Sequence, residues 1–154
     1  MSKLIKIYTD GSSIGNPGPG GYGIVMLSED GEYKKEFSQG FKITTNNRME
    51  LLAVIVGLEN IKLKNCNVKI YTDSKYVSDA VEKGWLFDWV KKDFKNKKNP
   101  DLWRRFLKIY KNHKVKFQWI KGHNNDFYNE RCDFLANLAA KNSNLLEDKG
   151  YTLN

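Results

Sequence analysis

The sequence predicts an α/β protein in which a five-stranded mixed sheet carries helices on both faces. Apolar side chains alternate with polar ones in residues 3–10 and 115–119, which is the two-residue period of a half-buried strand. A turn sequence at 29–31 separates two further apolar runs and predicts an antiparallel hairpin. Helical patterns separate the first, fourth and fifth strands, so these three are expected to run parallel, with the hairpin at one edge.

The first half of the chain is predicted to hold the hairpin and one largely buried helix. A glycine-rich loop is expected from Gly11 through Gly23, after the first strand. The arms of the hairpin are expected near 21–28 and 32–42. Residues 47–60 are predicted to be a helix, because threonines and asparagines just before it can cap it and its apolar residues nearly encircle the axis.

The second half is predicted to alternate short strands with helices. The expected elements are a strand over 67–73, a helix from Ser74, a lysine-rich and aromatic unit over 84–99, a helix over 100–112, a strand over 115–119, a loop over 121–128 and a helix over 129–141. Serine and proline are typical of the first positions of helices, which supports the two starts at Ser74 and Pro100. No linker interrupts the pattern, so residues 1–154 are predicted to form a single domain.

Composition excludes several classes of protein. With 154 residues, 40% of them apolar and 29% charged, the chain can bury a core and does not match a disordered protein. No stretch approaches the ~18–20 apolar residues of a membrane helix, and two cysteines suit a reducing compartment, so a cytoplasmic protein is expected. The formal net charge of +8 favours nucleic acid as a partner, and it is equally compatible with lysines that only keep the protein soluble.

A repeated pentapeptide puts two aspartates at the ends of two strands. Lys6–Asp10 and Lys69–Asp73 both read Lys-Ile-Tyr-Thr-Asp. If the two strands are adjacent, parallel and in register, Asp10 and Asp73 meet at the edge of the sheet where open α/β folds bind ligands. Close carboxylates repel, so either one is protonated or a cation lies between them. The alternative is that each aspartate only caps the turn that follows it.

Two further acids complete a candidate metal site. Glu50 is the only acid in an apolar helical run, and Asp133 lies among small residues in the last predicted helix. The alternatives are a capping box between Asn47 and Glu50, and a solvated aspartate near a helix N-terminus for Asp133. Four carboxylates suit Mg²⁺ or Mn²⁺, whereas zinc would require closely spaced cysteines or histidines.

One histidine is expected near the same edge of the sheet. His123 follows the last predicted strand, on a loop of glycine and asparagine residues. A histidine there can transfer protons near neutral pH, and the alternative is a plain exposed loop residue. The chain has two histidines and no evident serine or cysteine partner motif, which argues against a nucleophilic triad.

Several short segments carry a more specific signal. They are Tyr8–Ser12, Gly15–Gly23, Thr44–Leu51, Thr72–Ser74, Asp101–Trp103, Lys121–His123 and Asn129–Asp133. In this order, over nearly the whole chain, they resemble ribonuclease H of the bacterial type-one family. The resemblance implies the ribonuclease H-like fold and a two-metal hydrolase that cuts RNA paired with DNA, leaving 5′-phosphate and 3′-hydroxyl ends.

The resemblance also implies roles for the acidic residues. Asp10 would bridge two Mg²⁺ ions, for which Mn²⁺ can substitute. Asp133 would complete the site that activates the attacking water, and Glu50 and Asp73 would complete the site at the leaving 3′ oxygen. His123 would assist proton transfer or product release. A monomeric enzyme without membrane association is expected.

Contacts with an RNA–DNA hybrid follow from the same resemblance. Asn46 and Asn47 would reach into the minor groove, and Thr45 with Asn16 would grip a DNA phosphate. Main-chain groups of the glycine-rich loop would approach the 2′-hydroxyl, which distinguishes RNA from DNA. Residues 84–99 resemble the family's basic handle. Further substrate contacts are expected from Ser13, Lys75 and Trp85.

Two other functions remain open at this point. One is a hybrid-binding module that has lost catalysis, which the complete set of four acids argues against. The other is a DNA-cutting enzyme of the same fold, such as an integrase or resolvase, which Asn46 and Asn47 argue against. The chain also departs from many relatives, since Lys75 replaces a glutamine and the handle is shorter between Trp89 and Asp101.

Overall fold

The computed structural model describes residues 3–151, so residues 1–2 and 152–154 of the predicted domain lie outside the described range. The elements within that range are, in chain order, β1 (Leu4–Ser13), β2 (Gly18–Ser28), β3 (Lys34–Thr44), α1 (Asn46–Glu59), β4 (Asn67–Thr72), α2 (Lys75–Glu82), α3 (Trp85–Lys91), α4 (Pro100–Tyr110), β5 (Lys114–Trp119) and α5 (Phe127–Ala140). Each predicted strand and helix has a counterpart among them.

The strands form one mixed sheet in the order β3-β2-β1-β4-β5. The pairs β1–β2 and β2–β3 are antiparallel, whereas β1–β4 and β4–β5 are parallel. The two copies of the pentapeptide are in register, and the facing residues are Lys6–Lys69, Ile7–Ile70 and Tyr8–Tyr71. The predicted five-stranded mixed sheet, with the hairpin at one edge, is therefore confirmed.

Alternate residues of the central strands face different helices. Ile7 of β1 and Ile24 of β2 belong to the main core, which they share with residues of α1, α2 and α4. The next residues along each strand, Tyr8 and Val25, pack instead with Cys132 of α5. Because side chains alternate across a strand, α5 covers one face of the sheet and the other helices cover the opposite face, as predicted.

The glycine-rich segment is mostly strand, so the prediction of a loop over residues 11–23 was wrong. Only the short turn between β1 and β2 leaves the sheet. A Cβ at Gly11 would collide with the main chain of α1 at Glu50, and a Cβ at Gly23 would collide with the carbonyl of Cys132 in α5. The glycines therefore allow both helices to approach the sheet closely.

The start of α1 is set by one threonine. The Thr45 hydroxyl accepts a hydrogen bond from the Arg48 main-chain N–H at 3.2 Å. The capping-box alternative is wrong, because Asn47 already lies inside the helix and Glu50 follows its first turn. Glu50 therefore does not cap the helix, and its carboxylate can take part in a site at the edge of the sheet.

Two other helix starts and one strand end refine the prediction. Ser74 caps α2 as predicted, whereas α5 begins earlier than expected because Asp126 caps it. Trp119 does not continue the buried face of β5, since it is 39% exposed at the end of the strand. No helix within residues 3–151 has the length and apolar character needed to cross a membrane.

Candidate active site

An open cavity of about 430 Å³ lies where β1 and β4 approach α1 and α5. Its lining residues are Asp10, Gly11, Ser12, Asn46, Asn47, Glu50, Asp73, Ser74, Lys75, Tyr76, His123 and Asp133. All five residues predicted to be catalytic therefore share one cavity, although they come from separate strands, helices and loops.

Three of the acids form a tight cluster. Carboxylate oxygens of Asp10, Glu50 and Asp73 all lie within 4.8 Å of one another. The in-register pairing of β1 and β4 brings Asp10 beside Asp73, and the close approach of α1 at Gly11 adds Glu50. Asp10 lies inside β1, so the interpretation of this residue as only a turn cap is wrong.

The cluster concentrates negative charge in a buried place. Asp10 and Glu50 are each only 5% exposed. Burial, followed by the charge of Asp73, raises the pKa of Asp10 to about 8. Burial, followed by the charge of Asp10, raises the pKa of Glu50 well above its usual range. A cation between these groups would remove the repulsion that makes their charged forms unfavourable.

The donor set fits a hard divalent cation. Carboxylate oxygens are the ligands that such cations take in proteins. The Glu50 Oε1 atom is buried and finds no hydrogen-bond donor anywhere in residues 3–151. A buried carboxylate oxygen without a donor is costly, and metal coordination would satisfy it.

Asp133 lies on α5 and lines the same cavity outside the closest cluster. Its charge contributes to the raised pKa of Asp10, so the two carboxylates interact. The Asn137 side-chain amide donates to Asp133 Oδ1 at 3.2 Å, and Asn137 Oδ1 accepts from the Ser12 hydroxyl at 3.1 Å. Ser12 and Asn137 were missed as site residues, although the four-residue spacing between Asp133 and Asn137 was a usable signal.

The end of β5 and the loop that follows it pack directly against Asp73. The Trp119 indole N–H donates to the Asp73 carbonyl oxygen at 3.0 Å. A Cβ at Gly122 would lie 2.6 Å from Asp73 Oδ2, so only glycine fits there without a shift. His123 follows with a left-handed φ of 54° and is exposed at the cavity.

Most of the predicted substrate residues gather at the start of α1. Asn46 and Asn47 line the cavity, and Thr45 caps the helix. The Asn16 side-chain oxygen accepts from the Asn46 main-chain N–H at 3.0 Å, which ties the β1–β2 turn to the helix. Ser13 was expected beside them, but among the described residues that line the cavity the serines are Ser12 and Ser74.

Lys75 and Trp85 lie in different places. Lys75 lines the cavity, and its ammonium lies 4.7 Å from the ring centroid of Trp119. Trp85 is 45% exposed on α3, outside the cavity, with the Lys83 ammonium 5.3 Å from its ring centroid. Trp89 of the same helix packs edge-on against the buried Trp103 and thereby anchors the helix to the body of the protein.

A mixed five-stranded sheet that holds clustered carboxylates where its central strands meet α1 and α5 is typical of a metal-dependent enzyme. Comparison with known proteins is consistent with this class. The family model for RNase H matches residues 2–141. Ribonuclease H of Desulforamulus reducens is 58% identical over 148 residues, covering 93% of this chain and 91% of that protein. The chain belongs to the RNase H family, whose members are metal-dependent endoribonucleases.

Other relatives agree in sequence and in structure. Ribonuclease H of Trichodesmium erythraeum is 53% identical, covering 96% of this chain and 95% of that protein. The structure of LC9-RNase H1 superimposes with a TM-score of 0.82 at 30% identity, covering 91% of this chain and 73% of that one. The structure of LC11-RNase H1 in complex with an RNA/DNA hybrid superimposes with a TM-score of 0.67 at 31% identity, covering 88% of this chain and 96% of that one. The predicted ribonuclease H-like fold is confirmed.

Proposed function

We propose that this enzyme hydrolyses the RNA strand of RNA–DNA hybrids with the help of two Mg²⁺ ions, leaving 5′-phosphate and 3′-hydroxyl ends. The observation that carries the proposal is the cluster of Asp10, Glu50 and Asp73, whose carboxylate oxygens lie within 4.8 Å of one another. Membership of the RNase H family supports the substrate, as does the hybrid in the complex of LC11-RNase H1.

Each acid has a distinct part in holding the ions. When bound, two divalent cations activate the attacking water and stabilise the leaving 3′ oxygen. Asp10 would hold both ions, because its carboxylate interacts with all three other acids, Glu50, Asp73 and Asp133. Asp133 would complete the ligands on the side of the water. Glu50 and Asp73 would complete those on the side of the leaving group.

Mg²⁺ is proposed as the ion in cells, with Mn²⁺ as a substitute, because both prefer oxygen ligands. The thiol nearest to the acids does not compete as a ligand. Cys132 donates a hydrogen bond to the carbonyl oxygen of Tyr8. Burial raises the pKa of the Cys132 thiol, so the thiolate that a soft metal needs is disfavoured.

His123 is proposed to move a proton at the leaving group or during product release. It lines the cavity from an exposed loop, where its imidazole is accessible to water and to a bound substrate. The close packing of Gly122 against Asp73 keeps this loop beside the acidic cluster. His123 therefore acts next to the reacting phosphate without belonging to the ligand set.

The start of α1 is proposed to read the hybrid. Asn46 and Asn47 line the cavity and can both donate and accept hydrogen bonds in the minor groove. Asn16 and Thr45 are proposed to hold a phosphate of the DNA strand, supported by the hydrogen bond from the Asn46 main chain to Asn16. Ser13, at the end of β1, is proposed as a further contact on the same side.

The basic handle, residues 84–99, is proposed to bind the phosphate backbone. It contains the lysines Lys91, Lys92, Lys95, Lys97 and Lys98. Trp85 is exposed on it and available to contact DNA sugars. Lys75, at the cavity, is proposed to contact a phosphate nearer the cleaved bond. Affinity should therefore fall with rising salt, because bound lysines release counterions from the nucleic acid.

We further infer a monomer in the cytoplasm, formed by residues 1–154 as one domain with its handle. The two cysteines are free and buried, which suits a reducing compartment. Light scattering of the purified protein tests the monomer, and fractionation of cells tests the location. A stable dimer would contradict the first inference, and recovery outside the cytoplasm would contradict the second.

Strand-specific cleavage tests the function directly. An RNA–DNA hybrid with a different label on each strand is incubated with the enzyme, with Mg²⁺ or with chelator. We expect only the RNA strand to be cut, and only with metal. Duplex DNA and duplex RNA are the control substrates. Cleavage of duplex DNA would indicate a DNA-cutting enzyme instead, and binding of hybrid without cleavage would indicate a module without catalysis.

A further inference from the structure

Trp119 is the last residue of β5 and lies beside the acidic cluster without belonging to it. In the parallel pairing of β4 and β5 it faces Thr72, the residue just before Asp73. Its side chain contacts two cavity residues at once. The indole N–H donates to the Asp73 carbonyl oxygen at 3.0 Å, and the ring lies 4.7 Å from the Lys75 ammonium.

The first contact fixes a main chain that has just left the sheet. Regular pairing of β4 with β5 ends at Thr72, whose carbonyl oxygen accepts from the Ile120 N–H at 2.9 Å. Beyond Thr72, the Asp73 carbonyl oxygen accepts a hydrogen bond from the Trp119 indole N–H. Gly122 packs against the carboxylate of the same residue. Asp73 is thus held at its main chain and at its side chain by the segment 119–122.

The second contact holds a positive charge at the ring of Trp119. Lys75 is two residues from Asp73 and lines the same cavity, yet within residues 3–151 it makes no salt bridge. The face of a tryptophan attracts an ammonium group. A Lys75 ammonium released from the ring could instead pair with Asp73 and compete with a metal ion.

We infer that Trp119 is a positioning residue with two separable parts, an indole N–H that sets Asp73 for metal binding and a ring that presents the Lys75 ammonium to a phosphate of the substrate. The inference rests on the proposed function for its substrate part only. Its metal part concerns residues of this chain and can be measured without nucleic acid.

Three substitutions separate the parts. Trp119→Phe removes the N–H and keeps an aromatic ring for Lys75, whereas Trp119→Leu removes both. Lys75→Met removes the charge and leaves the N–H contact intact. Tyr33→Leu is the matched control, because Tyr33 is 48% exposed at the hairpin, at the opposite end of the sheet from the cavity.

Calorimetric titration with Mg²⁺ or Mn²⁺, in the absence of nucleic acid, measures the first part. We expect Trp119→Phe to weaken metal binding about tenfold, which is typical of the loss of a group that orients a ligand. Lys75→Met and Tyr33→Leu should bind metal at least as well as the unchanged protein. Thermal unfolding verifies that each variant is folded. Unchanged metal affinity in folded Trp119→Phe and Trp119→Leu would overturn the role of the N–H.

Steady-state cleavage of hybrid at saturating metal measures the second part. We expect Lys75→Met to raise KM several-fold and to reduce the salt dependence of binding by about one phosphate contact, with kcat nearly unchanged. Trp119→Leu should raise KM similarly, and Trp119→Phe should not. Adding Lys75→Met to Trp119→Leu should give no further rise, because ring and charge act as one unit.

Additive effects of Trp119→Leu and Lys75→Met on KM would overturn the role of the ring. If the unchanged protein failed to cut hybrids at all, the proposed function would fail instead. The calorimetric comparison would still decide whether Trp119 sets Asp73, so the two failures are distinguishable.

Discussion

Two buried charged clusters lie on opposite sides of the start of α1, and they differ in how their charges are balanced. Arg48 is 1% exposed and pairs with two carboxylates, Asp101 at 2.7 Å and Asp148 at 2.7 Å. Glu50, two residues along the helix and therefore about 200° around it, faces Asp10 and Asp73, which carry the same charge. A buried charge that is fully paired with opposite charges can support the fold. A buried charge beside like charges is unfavourable unless a ligand of opposite charge binds it.

The Arg48 cluster connects distant parts of the chain to the helix. All three guanidinium nitrogens donate to carboxylate oxygens, and the Thr44 hydroxyl donates to Asp148 at 2.6 Å. These bonds join α4 and the segment around Asp148 to the start of α1. Among the residues that the structure describes, the acidic cluster has no comparable set of donors, so the same helix end carries one structural site and one candidate metal site.

The largest expected effect comes from Asp10→Asn. The substitution keeps the shape of the side chain and removes the charge that is proposed to hold both metal ions. We expect cleavage of hybrid to fall by about 10⁴-fold, since metal ions contribute several kcal/mol to the transition state. Binding of hybrid, measured by fluorescence anisotropy, should survive.

Asp30→Asn provides the matched control for Asp10→Asn. Asp30 accepts hydrogen bonds in the exposed turn between β2 and β3, far along the sheet from the cavity. It should leave cleavage unchanged. Normal turnover by Asp10→Asn would show that the bridging role is wrong.

The second-largest expected effect is on the free energy of unfolding, and it distinguishes the Arg48 cluster from the acidic cluster. We expect Arg48→Met to lower the free energy of unfolding by about 3–5 kcal/mol, because the Asp148 carboxylate, whose side chain is only 4% exposed, loses its buried partner. Arg105→Met is the control, since Arg105 pairs with Glu59 at the surface, where an ion pair contributes about 0–1 kcal/mol. Urea unfolding followed by circular dichroism measures both. Equal losses would mean that the Arg48 cluster is no more structural than a surface pair.

The sequence predicted the acidic cluster because its main determinant is local and repeated. Two copies of one pentapeptide have the same phase, so pairing them in register is enough to bring Asp10 and Asp73 together. The order of helices and strands then predicts which strands are parallel. For this reason the mixed sheet, its helices on both faces and the meeting of Asp10 with Asp73 followed from pattern alone, whereas the roles of Glu50 and Asp133 in the same site came from the resemblance.

The parts that the sequence did not predict depend on contacts between distant segments. Asp148 lies 100 residues from Arg48, and nothing local marks the two as partners. Gly11 and Gly23 were interpreted as loop residues because glycine favours turns, whereas here they permit close packing of helices on strands. Trp119 was assigned to a buried face by alternation but is 39% exposed, because alternation does not indicate how far other elements cover the end of a strand.

A smaller effect is expected at His123, which is exposed where the acids are buried. We expect His123→Ala to lower kcat about 10²-fold, the usual contribution of a proton-transferring group, without abolishing cleavage. His113→Gln is the control, because His113 lies at the other end of β5 and accepts a hydrogen bond from Cys66. If His123→Ala were completely inactive with normal metal binding, His123 would be an essential group. Its effect would then no longer be smaller than that of the carboxylates.

The smallest expected effect is the change with pH in the stability of the metal-free protein. The raised pKa values of Asp10 and Glu50 mean that the folded state binds more protons than the unfolded chain. The free energy of unfolding should therefore fall as the pH rises from about 4 toward about 8. Asp10→Asn removes one of these groups and should be more stable than the unchanged protein at pH 8, by about 1–2 kcal/mol.

Bound metal should reverse the order of stability of Asp10→Asn and the unchanged protein at pH 8. In chelator, the advantage of Asp10→Asn should shrink as the pH falls toward about 4, because below the ordinary aspartate pKa of 3.8 Asp10 is mostly protonated in both the folded and the unfolded state. Mg²⁺ should stabilise the unchanged protein by binding its folded state, and should have little effect on the variant. Denaturant unfolding at several pH values, with and without Mg²⁺, measures this. A variant that is less stable at pH 8 in chelator would mean that Asp10 contributes to the fold as Arg48 does, and the contrast between the clusters would be lost.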